Sequence, residues 1–224
     1  MLDIIMEDAD KIILYKKAGQ LSQSGKSFEL DLVSEVMAYR RKKGEPPYAA
    51  IINRLDRPVS GLVLMAKSQK EAARLSALMQ RESLNKEYDA VVYGKPEPLS
   101  GTFVDYLIKD GKENVSRVVT ENTAGAKRAE LRYEVMSCES VTQEQGVYSM
   151  VHIRLITGRH HQIRVQFASR KLPLLGDVKY GGEAVSGADG KYIRRNQIAL
   201  CASSLTVDGK TYSVVPEWMK RSVE

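Results

Sequence analysis

One carboxylate lies between two arginines in the segment NRLDRPVSG, residues 53–61. The guanidinium groups of Arg54 and Arg57 favour the ionised form of Asp56. A general acid must carry a proton near neutral pH, so an ionised aspartate without a second carboxylate is better suited to nucleophilic or electrostatic work. The alternative is a salt-bridged loop aspartate, and the pattern taken alone favours that alternative.

A second candidate for chemistry is Arg164, in the segment RHHQIRVQFASRK. This segment predicts a helix over residues 160–170, on which Arg164 shares a face with His161. The neighbours of Arg164 in the chain are the apolar residues Ile163 and Val165. An arginine close to the apolar side of a helix usually needs an anion. The alternative is an arginine whose stem packs on the fold while its head group reaches water.

The third candidate is Tyr88, in the strand-like segment NKEYDAVVYG. Alternation along a strand places Tyr88, Ala90 and Val92 on one face. A tyrosine that faces a binding site can stack on a nucleobase. A tyrosine packed in the core explains the pattern equally well.

The histidines do not form a metal-binding pattern. His160 and His161 are adjacent, so their side chains should point apart on a helix, and His152 lies on a different predicted strand. No cysteine or carboxylate has the spacing that would complete a site. The sequence also lacks a Walker motif and a GxGxxG motif, and LGDVKYGG lacks the lysine–hydroxyl ending of a phosphate loop. We therefore expect neither a metal nor a small-molecule cofactor.

The elements that must hold these residues mix strands with a few helices. Asp56 precedes GLVLMAK, which is apolar on both faces and predicts a buried strand. Capping signals and the final glycine predict two helices, and Asp208-Gly209 predicts the turn of a hairpin. The expected fold is a mixed α+β sheet. The predicted segments are strands near 3–7 and 12–16, helices in FELDLVSEVMAYRRKKG and SQKEAARLSALMQRES, and strands in KEYDAVVYG, GTFVDYLIKD, KRAELRYEVMSCE and VYSMVHIRLITG.

The composition is that of an ordinary globular protein with a mild positive excess. The chain has 224 residues, 43% hydrophobic and 28% charged, and a formal net charge of +6. Two cysteines suit a reducing cytosol, and neither a signal peptide nor a membrane-spanning run is visible. The charge is compatible with a solvated surface or with a polyanionic partner such as nucleic acid. No boundary splits the chain, so we expect one catalytic domain over residues 1–224.

The motifs occur in an order that resembles the RluA-type family of pseudouridine synthases, which act on large-subunit rRNA and tRNA. The resemblance extends from about residue 4 to residue 216. It rests on the blocks LYKKAGQLSQ, NRLDRPVSGLVLMAKS, KEYDAVVYGKP, TGRHHQIRVQFASRKLPLLGDVKYGG and IALCASSLTV.

This resemblance implies a fold and a set of roles. The fold is a mixed, mainly antiparallel α+β domain with curved sheets, flanking helices and a central basic cleft. Asp56 resembles the catalytic aspartate and Arg164 the arginine that pairs with it. Tyr88 resembles the residue that stacks on the target uracil, and Arg54 the residue that takes the place of the flipped base. Further substrate-binding residues are expected at Arg57, Arg159, His161 and Gln162.

The resemblance implies the isomerisation of uridine to pseudouridine in RNA. The aspartate could attack the anomeric carbon, attack carbon 6 of the base or remove the 2′ proton of the sugar, and the sequence does not choose among these routes. Three positions depart from the family pattern, namely Asn53, Val59 and Gln166. Because the pattern starts near residue 4, we expect no separate N-terminal RNA-binding domain. We expect a cytoplasmic monomer that binds rRNA or tRNA and no membrane. The alternatives are a catalytically silent RNA-binding or chaperone-like relative and, with less support, a basic nuclease.

Overall fold

The structure is a computed structural model that describes residues 2–24, 30–81, 84–142, 146–182 and 197–220. Within these residues the chain forms two compact units. The first unit comprises Met1–Leu84 and Ala202–Val214, and the second comprises Asn85–Cys201 and Val215–Glu224. The elements, in chain order, are β1 (Ile4–Glu7), β2 (Lys11–Lys16), α1 (Leu32–Lys42), β3 (Ala50–Ile51), β4 (Ser60–Ala66), α2 (Gln69–Gln80), β5 (Asn85–Tyr93), β6 (Ser100–Asp110), β7 (Val115–Val119), β8 (Lys127–Thr142), β9 (Gly146–Leu155), α3 (Gln162–Ala168), a 3₁₀ turn (Val178–Tyr180), β10 (Leu200–Val207), β11 (Lys210–Ser213) and α4 (Glu217–Lys220).

The first unit is a sheet in the order β1-β2-β4-β10-β11, with the short strand β3 also paired to β4. Strand β4 is buried from Gly61 to Ala66, as its two apolar faces predict. Its side chains Leu62 and Leu64 pack with Ile13 of β2, Leu75 of α2 and Leu205 of β10. The strand that follows Asp56 is therefore anchored in a hydrophobic core.

Both helices of the first unit begin at a side-chain cap. The Asp31 carboxylate accepts a hydrogen bond from the backbone N–H of Ser34 at 2.7 Å, and the Ser68 hydroxyl accepts one from the N–H of Glu71 at 3.2 Å. Such caps satisfy donors that the first helical turn leaves unpaired. The Ser68 cap starts α2 where the sequence predicts, whereas α1 begins at Leu32, inside the predicted segment FELDLVSEVMAYRRKKG.

The second unit is an antiparallel sheet in the order β5-β9-β8-β6-β7. Helix α3 packs on one face of this sheet, where the Phe167 ring lies 5.1 Å from Phe103 and 5.8 Å from Tyr133 between centroids. Ala129 and Leu131 of β8 are also buried. Helix α3 is therefore fixed to the sheet by aromatic contacts.

The predicted helix over residues 160–170 is wrong at its start. The helix begins at Gln162, because His161 adopts a left-handed conformation with φ 53°. A non-glycine residue in that region cannot continue a right-handed helix. The expected shared helical face of His161 and Arg164 therefore does not form.

The architecture confirms the predicted mixed α+β, mainly antiparallel fold. Among the described residues no helix has the length and apolar character needed to cross a bilayer. The central basic cleft and the assignment of both units to one catalytic domain stay predictions.

Candidate active site

Asp56 lies in the loop between β3 and β4, and its side chain is half-buried. The buried side chain of Asn53 ties this loop to β4. Its amide nitrogen donates to the carbonyl of Leu62 at 3.0 Å, and its amide oxygen accepts from the N–H of Leu64 at 2.7 Å. Asn53, one of the departures from the family pattern, thus satisfies two backbone groups that would otherwise be buried without a partner.

A serine from a preceding loop fixes the residue next to Asp56. The Ser22 hydroxyl donates to the carbonyl of Leu55 at 2.7 Å and accepts from the N–H of Leu55 at 3.2 Å. Within the loop, the N–H of Val59 donates to the carbonyl of Asp56 at 3.0 Å. The backbone on both sides of the carboxylate is therefore fixed before any substrate binds, which is the preorganisation that a catalytic group needs.

The third support of the loop is Lys16, a lysine with 0% of its surface exposed. Its ammonium donates to the carbonyls of Lys17 at 3.0 Å, Gln20 at 2.8 Å and Arg57 at 3.3 Å. Burial lowers the pKa of Lys16 from 10.5 to about 8, while the negative charge of Asp56 opposes this shift and Arg57 adds to it. Lys16 is thus a buried cation held electrostatically beside the candidate nucleophile.

The two arginines that flank Asp56 are both exposed. The Nε of Arg57 donates to the carbonyl of Gly19 at 3.0 Å, and the N–H of Gly19 donates back to the carbonyl of Arg57 at 2.7 Å. One of the two predicted RNA contacts therefore also helps to hold the loop. The substrate-binding roles of Arg54 and Arg57 stay predictions.

Arg164 lies in the second unit, on α3, and it has a buried anion. Its Nε donates to Oδ2 of Asp177 at 2.7 Å and its Nη2 donates to Oδ1 at 2.8 Å. The two side chains are only 5% and 1% exposed. Of the two interpretations of Arg164, the structure favours the arginine that needs an anion. The predicted pairing of Arg164 with Asp56 stays a prediction.

The guanidinium of Arg164 also lies against an aromatic ring. Its Cζ is 5.1 Å from the ring centroid of Tyr180, a distance that allows a cation–π interaction. The Tyr180 hydroxyl accepts from the N–H of Ser116 at 2.7 Å and lies 2.8 Å from Nδ1 of His161. Arg164 therefore has one charged and one aromatic partner from the same short segment, residues 177–180.

The expectation that the two adjacent histidines point apart is wrong. The rings of His160 and His161 stack with centroids 3.7 Å apart, because neither residue belongs to the helix. The Nδ1 of His160 lies 2.9 Å from the Ser116 hydroxyl. In the part of the chain that the structure describes, no group of three or more His, Cys, Asp or Glu side chains could hold a metal ion.

Gln162 and Arg159 have contacts within the fold. The buried amide of Gln162 accepts from the Thr157 hydroxyl at 2.8 Å and from the N–H of Arg159 at 2.9 Å, and donates to the carbonyl of Glu130 at 3.0 Å. The exposed Arg159 side chain donates from Nε to the carbonyl of Arg128 at 2.8 Å. Gln162 thus shapes the turn that enters α3, and the substrate-binding roles of Gln162, Arg159 and His161 stay predictions.

Tyr88 lies on β5 with 7% of its surface exposed, opposite Ile153 of β9. Ala90 and Val92, on the same face, are fully buried. Asp89 and Val91, on the opposite face, are buried as well, so both faces of β5 are covered here. Such burial suits a core tyrosine, and the stacking of Tyr88 on a uracil stays a prediction.

No signal in the sequence indicated Lys16 beside the Asp56 loop or Asp177 as the anion of Arg164. Lys16 belongs to the block LYKKAGQLSQ, which carried a resemblance but no role for the lysine. Asp177 lies in LGDVKYGG, which is part of a block that resembles the family but which suggested no role for the aspartate. Asp177 follows Arg164 by thirteen positions. This spacing predicts an ion pair only when the path of the chain between the two residues is known.

Comparison with known proteins explains why these residues occur together in one chain. The family described as RNA pseudouridylate synthase matches residues 10–169, a range that includes Asp56, Tyr88 and Arg164. The chain belongs to the RNA pseudouridylate synthase family. This result confirms the family predicted from the sequence motifs.

Relatives within the family show how much of their length the chain shares. It is 33% identical over 187 residues to ribosomal large subunit pseudouridine synthase D of Escherichia coli, covering 81% of this chain and 53% of the relative. The corresponding protein of Vibrio cholerae is 30% identical over 184 residues, with 82% and 54% covered. An uncharacterised RNA pseudouridine synthase of Bacillus subtilis is 31% identical over 182 residues, with 81% and 58% covered. The chain spans somewhat over half the length of these relatives.

Solved structures of two human proteins share the fold. Human RNA pseudouridylate synthase domain containing 4 has a TM-score of 0.78 at 19% identity, covering 99% of this chain and 91% of that one. Human RNA pseudouridylate synthase domain containing 1 has a TM-score of 0.73 at 21% identity, covering 100% and 86%. Both place this family member in the pseudouridine synthase fold.

Proposed function

We propose that this chain is an RNA pseudouridine synthase that isomerises specific uridines in rRNA or tRNA. The observation that supports the proposal most is the family match over residues 10–169, which contains the candidate nucleophile on a loop fixed at both sides. Several relatives are named for the large ribosomal subunit, and this favours rRNA as the substrate. The proposed form is a cytoplasmic monomer that works without a metal or cofactor.

The proposed reaction needs a positioned anion. The bond from the ribose C1′ to N1 of uracil breaks, the base turns, and a bond from C1′ to C5 forms; C5 then loses its proton and N1 takes one up, so that product and substrate are isomers. Asp56 is the group proposed to start this sequence, by attack on C1′, by attack on C6 or by removal of the 2′ proton. The backbone contacts of Asn53, Ser22 and Lys16 hold its loop, so little reorganisation is needed at the moment of reaction.

The other site residues are proposed to bind the RNA and the flipped base. The uridine must leave its stack, which costs a few kcal/mol. Arg54 is proposed to fill the space that the base leaves, Tyr88 to stack on the uracil, and Arg164 to pair with Asp56. Further contacts to the RNA are assigned to Arg57 and to Arg159, His161 and Gln162.

The experiment that tests the proposal separates chemistry from binding. Tritium release from RNA labelled at C5 of uridine is measured for the wild type and for Asp56→Asn, a nearly isosteric change that removes the negative charge. Release should fall to background, whereas RNA affinity should stay similar or rise because phosphate is repelled less. Asp10→Asn, which changes an exposed carboxylate of the same unit, is the matched control and should retain full activity.

Two outcomes would overturn the proposal. A folded Asp56→Asn protein with turnover near that of the wild type would remove Asp56 from the mechanism. A wild-type protein that binds RNA tightly but releases no tritium from total unmodified RNA would favour the catalytically silent RNA-binding relative. Thermal melts of each variant accompany the assay, since Asp56 also interacts electrostatically with the buried Lys16.

A further inference from the structure

Arg164 and Asp177 form a buried, bidentate ion pair that packing of the core alone does not require. Both carboxylate oxygens of Asp177 accept from the guanidinium, at 2.7 and 2.8 Å, in a buried setting. Removing two charges from water costs more than burying apolar side chains of similar size. A core that only had to fill this space would be at least as stable with an apolar pair. The charge of Arg164 is therefore kept in the interior at a cost in stability.

The geometry of the pair fixes the direction of the guanidinium. Asp177 binds the edge formed by Nε and Nη2, so the plane of the guanidinium and the direction of Nη1 are both determined. The Tyr180 ring lies 5.1 Å from Cζ and restrains the group from a second direction. A bidentate pair and a ring contact together leave Arg164 little rotational freedom.

Asp177 is itself held by the backbone around it. Its N–H donates to the carbonyl of Leu174 at 3.0 Å, and its carbonyl accepts from the N–H groups of Tyr180 at 3.0 Å and Gly182 at 2.9 Å. A Cβ at Gly182 would lie 2.5 Å from the carbonyl oxygen of Leu174, so the turn closes only with glycine there. The carboxylate is thus presented to α3 by a tight turn.

We propose that Asp177 is a positioning residue that holds the Arg164 guanidinium, with Tyr180, in the orientation the reaction needs. This inference rests on the proposed function, because it assumes that Arg164 acts in the reaction. Asp177 acts only through Arg164 and does not touch the substrate. Its loss should reduce the rate of the chemical step more than the affinity for RNA.

The first test is steady-state kinetics of Asp177→Asn, which keeps the size of the side chain and removes its charge. We expect kcat to fall about 10- to 100-fold, the range expected for a misplaced catalytic group, while KM and the RNA Kd change less than about twofold. Asp105→Asn is the matched control, since Asp105 also pairs with an arginine near the end of α3, namely Arg170 at 2.9 Å. That variant should keep the wild-type kcat.

A double-mutant cycle separates positioning from general stability. If Asp177 acts through Arg164, Asp177→Asn should lower kcat less than about twofold in an Arg164→Lys background. Two independent effects would multiply instead, and that result would overturn the proposal. A folded Asp177→Asn protein with wild-type kcat would overturn it as well.

A measurement without turnover keeps this inference distinct from the proposed function. The Nε–H resonance of Arg164 in an ¹⁵N spectrum, assigned by its loss in Arg164→Lys, should be sharp in the wild type and exchange-broadened in Asp177→Asn. If Asp177→Asn does not fold, Tyr180→Leu is used instead, because it removes the ring contact to Arg164. It should lower kcat in the wild-type background, and by less than about twofold in the Arg164→Lys background. A wild-type protein that shows the sharp resonance but converts no uridine would reject the proposed function, whereas a resonance unchanged in the folded variants would reject the role of Asp177.

Discussion

Lys16 is a cation without exposed surface, and its environment makes the stability of the fold depend on pH. Burial lowers the pKa of Lys16 to about 8 in the folded chain, from the ordinary value of 10.5. Between pH 8 and pH 10.5 the lysine is protonated in the unfolded chain but largely neutral in the folded one. The unfolded state therefore binds more protons, and the free energy of unfolding rises with pH. Below pH 8 the buried charge is present in full and its cost is largest.

Lys16→Met should abolish this dependence. We expect the free energy of unfolding of the wild type, relative to the variant, to increase by about 3 kcal/mol between pH 8 and pH 10.5. Urea unfolding at several pH values measures the difference. Lys17→Met, at the exposed neighbouring lysine, is the control, and the rise in stability with pH that Lys16 causes should persist in this variant. A flat difference for Lys16→Met would mean that the ammonium is not destabilised by burial.

For single residues, the sequence predicts what kind of partner a side chain needs better than it predicts which residue supplies it. The apolar neighbours of Arg164 left a buried anion as one of two interpretations, and the structure shows that anion. That the anion is Asp177 depends on the turn that closes at Gly182, and that Lys16 lies near Asp56 depends on how β2 leads into the following loop. Neither path can be read from local residue types.

Among the elements, the strands with apolar or β-branched runs and the two helices of the first unit were predicted, whereas elements without such a local signal were not. Helix α2 begins at its predicted cap, Ser68, and the hairpin turns at Asp208 and Gly209, whose φ values of 51° and 72° suit the predicted tight turn. Strand β7 lies in a polar segment and was missed, since it is defined by pairing with β6. The start of α3 was misplaced because the left-handed conformation of His161 has no sequence signature.

Strands β4 and β10 approach closely at Gly61, and this contact predicts the effect of a substitution there. Gly61 has φ +123°, and a Cβ there would lie 2.4 Å from the backbone N and O of Ala202. Gly61→Ala therefore adds backbone strain to a clash with backbone atoms that cannot move aside, and we expect a loss of at least about 3 kcal/mol in the free energy of unfolding. Urea unfolding measures the loss.

Gly111→Ala is the control for that experiment, because a Cβ at Gly111 meets nothing within 4 Å. It should change the free energy of unfolding by less than about 1 kcal/mol. Equal stability of Gly61→Ala and the wild type would show that β4 and β10 are farther apart than described.

For the whole molecule, the formal net charge of +6 is the property most relevant to RNA. Phosphate contacts release counterions, so log K for RNA binding should fall linearly with log salt concentration. Arg54→Gln and Arg57→Gln should each make the slope shallower by about one if each arginine neutralises one phosphate. Filter binding at a series of salt concentrations measures the slopes. An affinity that does not change with salt would contradict an electrostatic RNA interface.

The division of the chain between its two units has a consequence for synthesis on the ribosome. The second unit is almost continuous in the chain, whereas the first unit needs residues Ala202–Val214. Leu205 and Val207 from that late segment pack in one core with Ile13 and Leu62. A nascent chain therefore cannot complete the core that supports the Asp56 loop until its last strands have left the exit tunnel. The strands β5 to β9 of the second unit can pair before that point, whereas the last segment of that unit, Val215–Glu224, emerges only after the segment that completes the first unit.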